Sequence, residues 1–133
     1  MTFSESISSC SENYAVFSGR APRSEYWWFA VLIAAIGVIA AMADAVVFGA
    51  GSGVPVFGLF AAVALLVPSL AVSVRRLHDT DRSAWWLLIA VVPVVGAVML
   101  FVWFCTRGSE GANGHGSDPL RAPLSATALY GAP

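Results

Sequence analysis

The densest group of polar side chains in the sequence is the segment RRLHDTDRS at positions 75–83, which lies between two apolar stretches. Guanidinium groups make bidentate hydrogen bonds to phosphates and carboxylates, so the segment suits a lipid headgroup or an acidic partner segment. In the structural alternative, the arginines anchor helix ends and pair with the neighbouring aspartates. With two arginines from the region before the first apolar stretch, the candidate binding residues are Arg20, Arg23, Arg75, Arg76, His78, Asp79 and Arg82.

Catalysis at this segment would depend on the adjacent pair His78 and Asp79, for which the sequence offers no partnered nucleophile. The chain contains no lysine, no phosphate-binding Gly-Lys loop and no paired-histidine metal motif. His115 lies far from His78 in a glycine-rich stretch, which argues against a joint metal site. We therefore predict that the protein is not an enzyme and has no catalytic residue, cofactor or metal.

Asp44 is the one ionisable residue inside an apolar stretch. A carboxylate within a membrane span is a candidate for a proton or ion relay. It lies about six residues past the centre of its stretch, roughly 10 Å at 1.5 Å per residue. This position favours a solvated carboxylate at the outer surface over a relay.

The composition is that of a membrane protein. Of the 133 residues, 58% are hydrophobic and 11% are charged, whereas soluble domains carry about 25% charged residues. The net charge of −1 gives no basic face for nucleic acid, and the predicted partner is the lipid bilayer. About 20 apolar residues cross a bilayer as a helix, and three segments qualify: 27–48, 54–74 and 84–105. We predict an all-α integral membrane protein with about three transmembrane helices in a single membrane domain, 1–133.

Two segments flank the predicted spans. In residues 3–18, apolar side chains recur every three or four positions, which predicts a short amphipathic helix on the membrane surface or against the bundle. The tail, 106–133, is rich in Gly, Pro and Ser and is expected to be flexible.

The distribution of arginine predicts the orientation. With three spans, the N-terminal segment and the 75–83 loop share one side and carry five of the seven arginines, which places both in the cytoplasm and the tail outside. Pro93 and Gly96 leave open a bent or re-entrant third segment, with the tail inside.

Small residues form a stripe along one face of the first span, at spacings of three and four. Such a stripe lets helices approach closely, within the chain or between chains. We therefore favour a structural or interaction protein that forms a homo-oligomer or joins another membrane protein. A subunit of a small oligomeric transporter or channel and a lipid-headgroup-binding protein are the alternatives. The proposed packing residues are Ala30, Ala34, Gly37, Ala41 and Ala45.

Three phrases of the sequence resemble the DUF805 family of small bacterial inner-membrane proteins. They are FSGRAPRSEYW at 17–27, RRLHD at 75–79 and RSAWW at 82–86. The family's tail pattern, roughly Gly-x-Asn-Arg-aromatic-Gly-x-Asp-Pro, departs here at Gly114 and His115. The resemblance implies a bacterial multi-pass inner-membrane protein and implies no activity, because the family has no assigned biochemical function.

Overall fold

The computed structural model describes residues 2–121, and the regular secondary structure of this range is helical. The prediction of an all-helical protein is thus confirmed. An isolated bridge between Asn113 and Gly116 is the only β-type pairing in the described range. In chain order the elements are α1 (Phe3–Glu12), α2 (Arg23–Phe48), α3 (Val56–Asp79), a 3₁₀ helix (Ala84–Val91) and α4 (Val95–Cys105).

The long helices α2 and α3 form the body of the molecule. They have 26 and 24 residues, with mean hydropathies of 2.5 and 2.3 over their most apolar windows. At 1.5 Å per residue they measure about 39 and 36 Å, enough to cross some 30 Å of hydrocarbon. Only 11% and 17% of these windows are buried, unlike the core helices of a soluble protein. The last turn of α3, residues 75–79, is polar and lies beyond its apolar part.

The amphipathic segment forms α1, which packs on the body. Its buried Cys10 lies in an apolar cluster with Phe29 of α2 and Val72 of α3. The helix starts at a capping box, in which the Thr2 hydroxyl accepts from the Glu5 backbone and the Glu5 carboxylate accepts from the Thr2 backbone. It ends earlier than the predicted segment 3–18, because the Asn13 side chain donates to the Ser9 carbonyl and closes the last turn.

The third apolar segment, 84–105, differs from the predicted full span. It is a helical hairpin whose two arms, of 8 and 11 residues, are each about 16 Å long. The chain reverses around Pro93, which has no N–H, and Val94, which has a φ of 63°. Both arms contact α3. The arms also contact each other, since the rings of Trp86 and Trp103 meet edge to face with centroids 5.5 Å apart.

The close packing of the hairpin explains its glycine. The Gly96 backbone lies so near the Ile89 carbonyl that a Cβ at position 96 would collide with it. The close approach of the two arms therefore requires a glycine at position 96.

The chain after α4 also differs from expectation. Residues 106–121 lie at the same end of the molecule as the 75–83 loop, where arginine side chains bind their backbone carbonyls. As far as residue 121, the chain that was expected to be flexible is held at the end of the molecule that carries the 75–83 loop. The reason is the hairpin, which returns the chain to the end from which it left. Residues 122–133 of the predicted tail lie outside the described range.

Candidate functional site

The polar end of the molecule is the end at which residues 75–83 and 106–121 meet. At its centre lies the carboxylate of Asp79, on the last turn of α3. Its Oδ1 accepts from Nε of Arg20 at 3.0 Å and lies 3.0 Å from Nη2 of the same guanidinium, and its Oδ2 accepts from Nη1 of Arg76. The three side chains are 3%, 1% and 0% exposed respectively. One buried carboxylate therefore pairs with two guanidinium groups.

The remaining N–H donors of Arg20 and Arg76 bind backbone carbonyls at the end of α4 and in the segment that follows it, residues 106–121, which we call the last segment. Arg20 donates to the carbonyls of Ser109 (2.5 Å) and Gly111 (2.6 Å). Arg76 donates to those of Phe104 (3.3 Å) and Thr106. The carbonyls at the end of a helix lack intrahelical partners and carry negative partial charge. Arg76 therefore caps α4, and Arg20 holds the chain that follows.

A second buried ion pair lies beside the first. Nη1 of Arg75 is 2.7 Å from Oε1 of Glu25, a residue in the first turn of α2. The Cys10 thiol of α1 donates to the same oxygen at 3.7 Å. Burial, and then the Glu25 charge, raise the pKa of the Cys10 thiol to about 11. Cys10 is thus protonated at neutral pH and is a poor nucleophile.

His78 joins the same end of the molecule through its backbone and its ring. Its Nδ1 is 3.1 Å from the Gly19 carbonyl. Its own carbonyl accepts from the Asn113 side chain at 2.9 Å. Its ring stacks face to face on the ring of His115, with centroids 4.0 Å apart. Close by, a Cβ at Gly108 would collide with the Asp79 carboxylate, so the chain can pass there only as glycine.

Of the seven candidate residues, the structure brings five together: Arg20, Arg75, Arg76, His78 and Asp79. The other two lie apart from the ion pairs. Arg23 is exposed and donates to the Cys105 carbonyl at 3.3 Å. The guanidinium of Arg82 lies over the Trp103 ring, 4.8 Å from its centroid.

Sequence reasoning missed several residues of the cluster. Glu25 had a usable signal, because it is a carboxylate in the first turn of an apolar helix at the arginine-rich end. Ser109 carried none. Asn113 and His115 lie within the family's tail pattern, but their position at this end depends on the reversal of the hairpin.

Asp44, near the end of α2, caps the start of α3. Its Oδ1 accepts from the Phe57 backbone at 2.8 Å and its Oδ2 from the Gly58 backbone at 3.0 Å. These N–H groups belong to the first turn of α3, where they have no intrahelical partner. The residue is 7% exposed, so the expected solvated position is not observed. Both oxygens accept from backbone N–H groups, so Asp44 caps the start of α3.

Among residues 2–121, little covers the small-residue stripe of α2. Ala34, Gly37, Ala41 and Ala45 are exposed, and Ala30 is half-buried. A Cβ at Gly37 would meet no atom within 4 Å. The buried positions of α2 are Glu25, Phe29, Ala40 and Asp44.

The polar end thus joins four separate segments through groups that satisfy one another: the chain before α2, the start of α2, the last turn of α3 and residues 104–116. Across residues 2–121, no group of three or more His, Cys, Asp or Glu side chains is arranged to hold a metal ion. Arg75 Nε is the one buried side-chain nitrogen or oxygen of the described range without a hydrogen-bond partner.

Two long apolar helices, an apolar hairpin and a buried arginine–carboxylate cluster define a small helical transmembrane protein. The chain belongs to the family described as "Protein of unknown function (DUF805)", whose model matches residues 14–117. This confirms the family resemblance. The matched range contains every arginine and carboxylate of the buried ion pairs, whereas Cys10, whose thiol donates to Glu25, lies before it.

Two relatives from Escherichia coli are similar over most of their length. Inner membrane protein YhaI of strain K12 is 43% identical over 108 residues, which cover 81% of this chain and 89% of the relative. Inner membrane protein YhaH of the same strain is 35% identical over 113 residues, covering 84% and 93%. No solved structure matches the chain.

Proposed function

We propose that the protein is a structural or interaction component of the bacterial inner membrane, with no catalytic role, and that it associates with itself through α2. The observation that carries the proposal is the open stripe Ala34–Gly37–Ala41–Ala45, which is exposed within a single chain. Small residues on a membrane helix allow close approach of a second helix, and dispersion forces then favour association.

The hairpin covers only the start of this side of α2. The Phe104 ring packs on Tyr26, with centroids 4.4 Å apart, and the Phe101 ring packs on Trp27 at 5.8 Å. At 3.6 residues per turn, Tyr26 and Trp27 flank the same side of α2 as the stripe. Since α4 is about 16 Å long, it covers only the first turns of that side. The stripe continues beyond it, at mid-membrane depth.

A second copy of the chain is the simplest partner for this surface. Two identical stripes form an isologous contact in which each helix presents the same face to the other, and such two-fold dimers are the commonest oligomers. Gly37 would lie near the crossing point, because it is close to the middle of α2.

The distribution of charge supports a cytoplasmic position for the polar end. Thr106 binds Arg76, and Asp118 accepts from the Gly111 backbone, so the neighbouring Arg107 and Arg121 belong to the same end as the other five arginines. All seven arginines then lie on one side of the membrane, which the positive-inside rule assigns to the cytoplasm. Two relatives named as inner membrane proteins support the same membrane for this chain.

The alternatives receive less support from the geometry. For headgroup binding, donors of Arg20, Arg75 and Arg76 are engaged inside the protein, which leaves Arg23 and Arg82 as the better lipid contacts. For a transporter or channel subunit, the intramembrane carboxylate of Asp44 would be the natural ion site, and it is engaged by two backbone N–H groups.

Disulfide crosslinking in native membranes tests the proposal. In a background of Cys10→Ser and Cys105→Ser, single cysteines replace Gly37 or Ala41 on the stripe. Ile39, at the same depth and 66% exposed on the opposite side, supplies the matched control. We expect oxidised dimers from positions 37 and 41, few from position 39, and loss of the position-41 dimer when Gly37→Leu is added. Equal crosslinking at position 39, or none on the stripe, would reject self-association through this face.

A further inference from the structure

The two histidines of the described chain form a face-to-face pair at the polar end. Their ring centroids are 4.0 Å apart and the ring planes differ by 2°. His78 is fixed on the last turn of α3, past the apolar part of that helix. His115 lies in a tight turn closed by two backbone hydrogen bonds between Asn113 and Gly116, of 3.0 and 3.2 Å.

The charged groups around the pair come from every neighbouring segment. On α3, the carboxylate of Asp79 is already shared by Arg20 and Arg76. From the segment before α2, Arg20 reaches the carbonyls of Ser109 and Gly111. From the loop after α3, the exposed Asp81 carboxylate lies near Gly114. In the last segment, Glu110 pairs with Arg107 and Asp118 with Arg121.

This arrangement favours a neutral imidazole at His78. Two protonated rings would place like charges face to face at about 4 Å, and the nearest buried carboxylate is engaged by two arginines. Burial lowers the pKa of His78; a backbone contact to Gly19 opposes this effect, and the neighbouring His115 adds to it. For a base whose pKa is lowered in the docked state, docking is fully favourable above the free pKa, about 6.5. Docking weakens as the pH falls through and below that value.

We propose that the His78–His115 stack is a pH-sensitive latch that holds residues 108–118 on the end of α3 and releases them on acidification. Release removes the Ser109 and Gly111 carbonyls from Arg20 and opens the buried Arg20–Asp79 pair to water. The latch turns a change of cytoplasmic-side pH into exposure of a charged surface. It does not depend on self-association through α2.

Hydrogen exchange of the full chain in lipid nanodiscs tests the latch. The measured quantity is the protection of the 107–121 peptide at pH 5.0 to 7.5, corrected for intrinsic exchange with an unstructured peptide of the same sequence. Ser109, Asn113 and Gly116 donate backbone hydrogen bonds within or from this segment. We expect protection to fall on the order of tenfold over this range, because each proton taken up on release changes the equilibrium by at most about tenfold per pH unit.

Two variants distinguish the histidine pair from other causes of pH-dependent protection. His115→Phe keeps a flat ring on His78 but cannot be charged, so its protection should fall less steeply on acidification than in wild type, with the remaining dependence due to the burial of His78. Asn113→Ala removes hydrogen bonds without changing charge, so its protection should be low throughout. Asp118 does not confound the range, because backbone N–H groups of Leu120 and Gly111 lower its pKa and keep it ionised. A wild-type profile without pH dependence, or His115→Phe with the same dependence as wild type, would overturn the proposal.

Discussion

A buried carboxylate shared by two arginines leaves one positive charge uncompensated by ion pairing. Backbone carbonyls compensate this charge. Arg20 and Arg76 donate to carbonyls at the end of α4 and in the chain after it, which carry negative partial charge. The cost of burying ions is offset only when the remaining donors are satisfied in this way. The same contacts explain why distant parts of the chain meet at this end.

Asp79→Asn is predicted to destabilise the protein strongly. The substitution leaves two buried guanidinium groups without a counter-ion, and removal of one partner from a buried pair costs about 3–5 kcal/mol. Unfolding in mixed micelles of increasing SDS content, followed by tryptophan fluorescence, measures the loss. The control is Asp81→Asn, two residues away and exposed, which should change stability by less than about 0.5 kcal/mol. A small effect at Asp79 would show that the ion pairs are not central to the fold.

Asp44→Ala is predicted to loosen the start of α3. The side chain satisfies two backbone N–H groups in that first turn, and loss of such a cap costs about 0.5–2 kcal/mol. Asp44→Asn, which keeps one acceptor oxygen, should lose less in the same unfolding assay. If Asn were as damaging as Ala, the negative charge rather than the capping geometry would be the important property.

The sequence allowed part of the residue-level site to be predicted. The clustering of arginine with aspartate in 75–83 indicated ion pairs, and Asp79 does pair with Arg76, three residues away on the same helical turn. The partner Arg20 lies 59 positions earlier, and nothing local selects it over Arg23. Only the packing of the segment before α2 against α3 decides which of the two arginines is buried.

At the scale of elements, composition does not distinguish a span from a hairpin. Residues 84–105 are as apolar as the two true long helices, and apolarity measures only the preference for lipid. The reversal comes from three local features, which are the missing N–H of Pro93, the positive φ of Val94 and the absence of a side chain at Gly96. From the sequence, Pro93 and Gly96 left a bend open as an alternative, but the tertiary contacts that stabilise the bend could not be predicted.

Gly96→Ala is predicted to disrupt the hairpin. The added methyl would collide with the Ile89 backbone, which cannot move aside as a flexible side chain can, and such overpacking costs about 1–3 kcal/mol. The matched control, measured on the monomer in detergent micelles, is Gly37→Ala, the same change in α2, where the methyl meets open space within one chain. Because glycine weakens a helix, this control should gain about 0.5–1 kcal/mol. Equal effects of the two substitutions would argue against the tight reversal at Gly96.

At the scale of the whole molecule, the hairpin determines on which side the chain continues. An odd number of full crossings would put residues after Cys105 opposite the 75–83 loop, as the sequence suggested. Two full crossings and a hairpin put them together, which brings Arg107 and Arg121 to the side of the other five arginines. All seven arginines would then lie on one side of the membrane, which the positive-inside rule assigns to the cytoplasm; this is the arrangement that we propose.

Labelling of single cysteines with a membrane-impermeant maleimide tests this arrangement. The background again lacks Cys10 and Cys105, and cysteine replaces Ser52 in the α2–α3 turn, Ser83 in the loop or Ser117 in the last segment, three exposed positions. In intact spheroplasts we expect only position 52 to react, because positions 83 and 117 should face the cytoplasm. In inside-out vesicles the pattern should reverse. Reaction of position 117 together with position 52 would mean that residues 84–105 cross the membrane completely, and the contacts between the last segment and Arg20 could not then form in the bilayer.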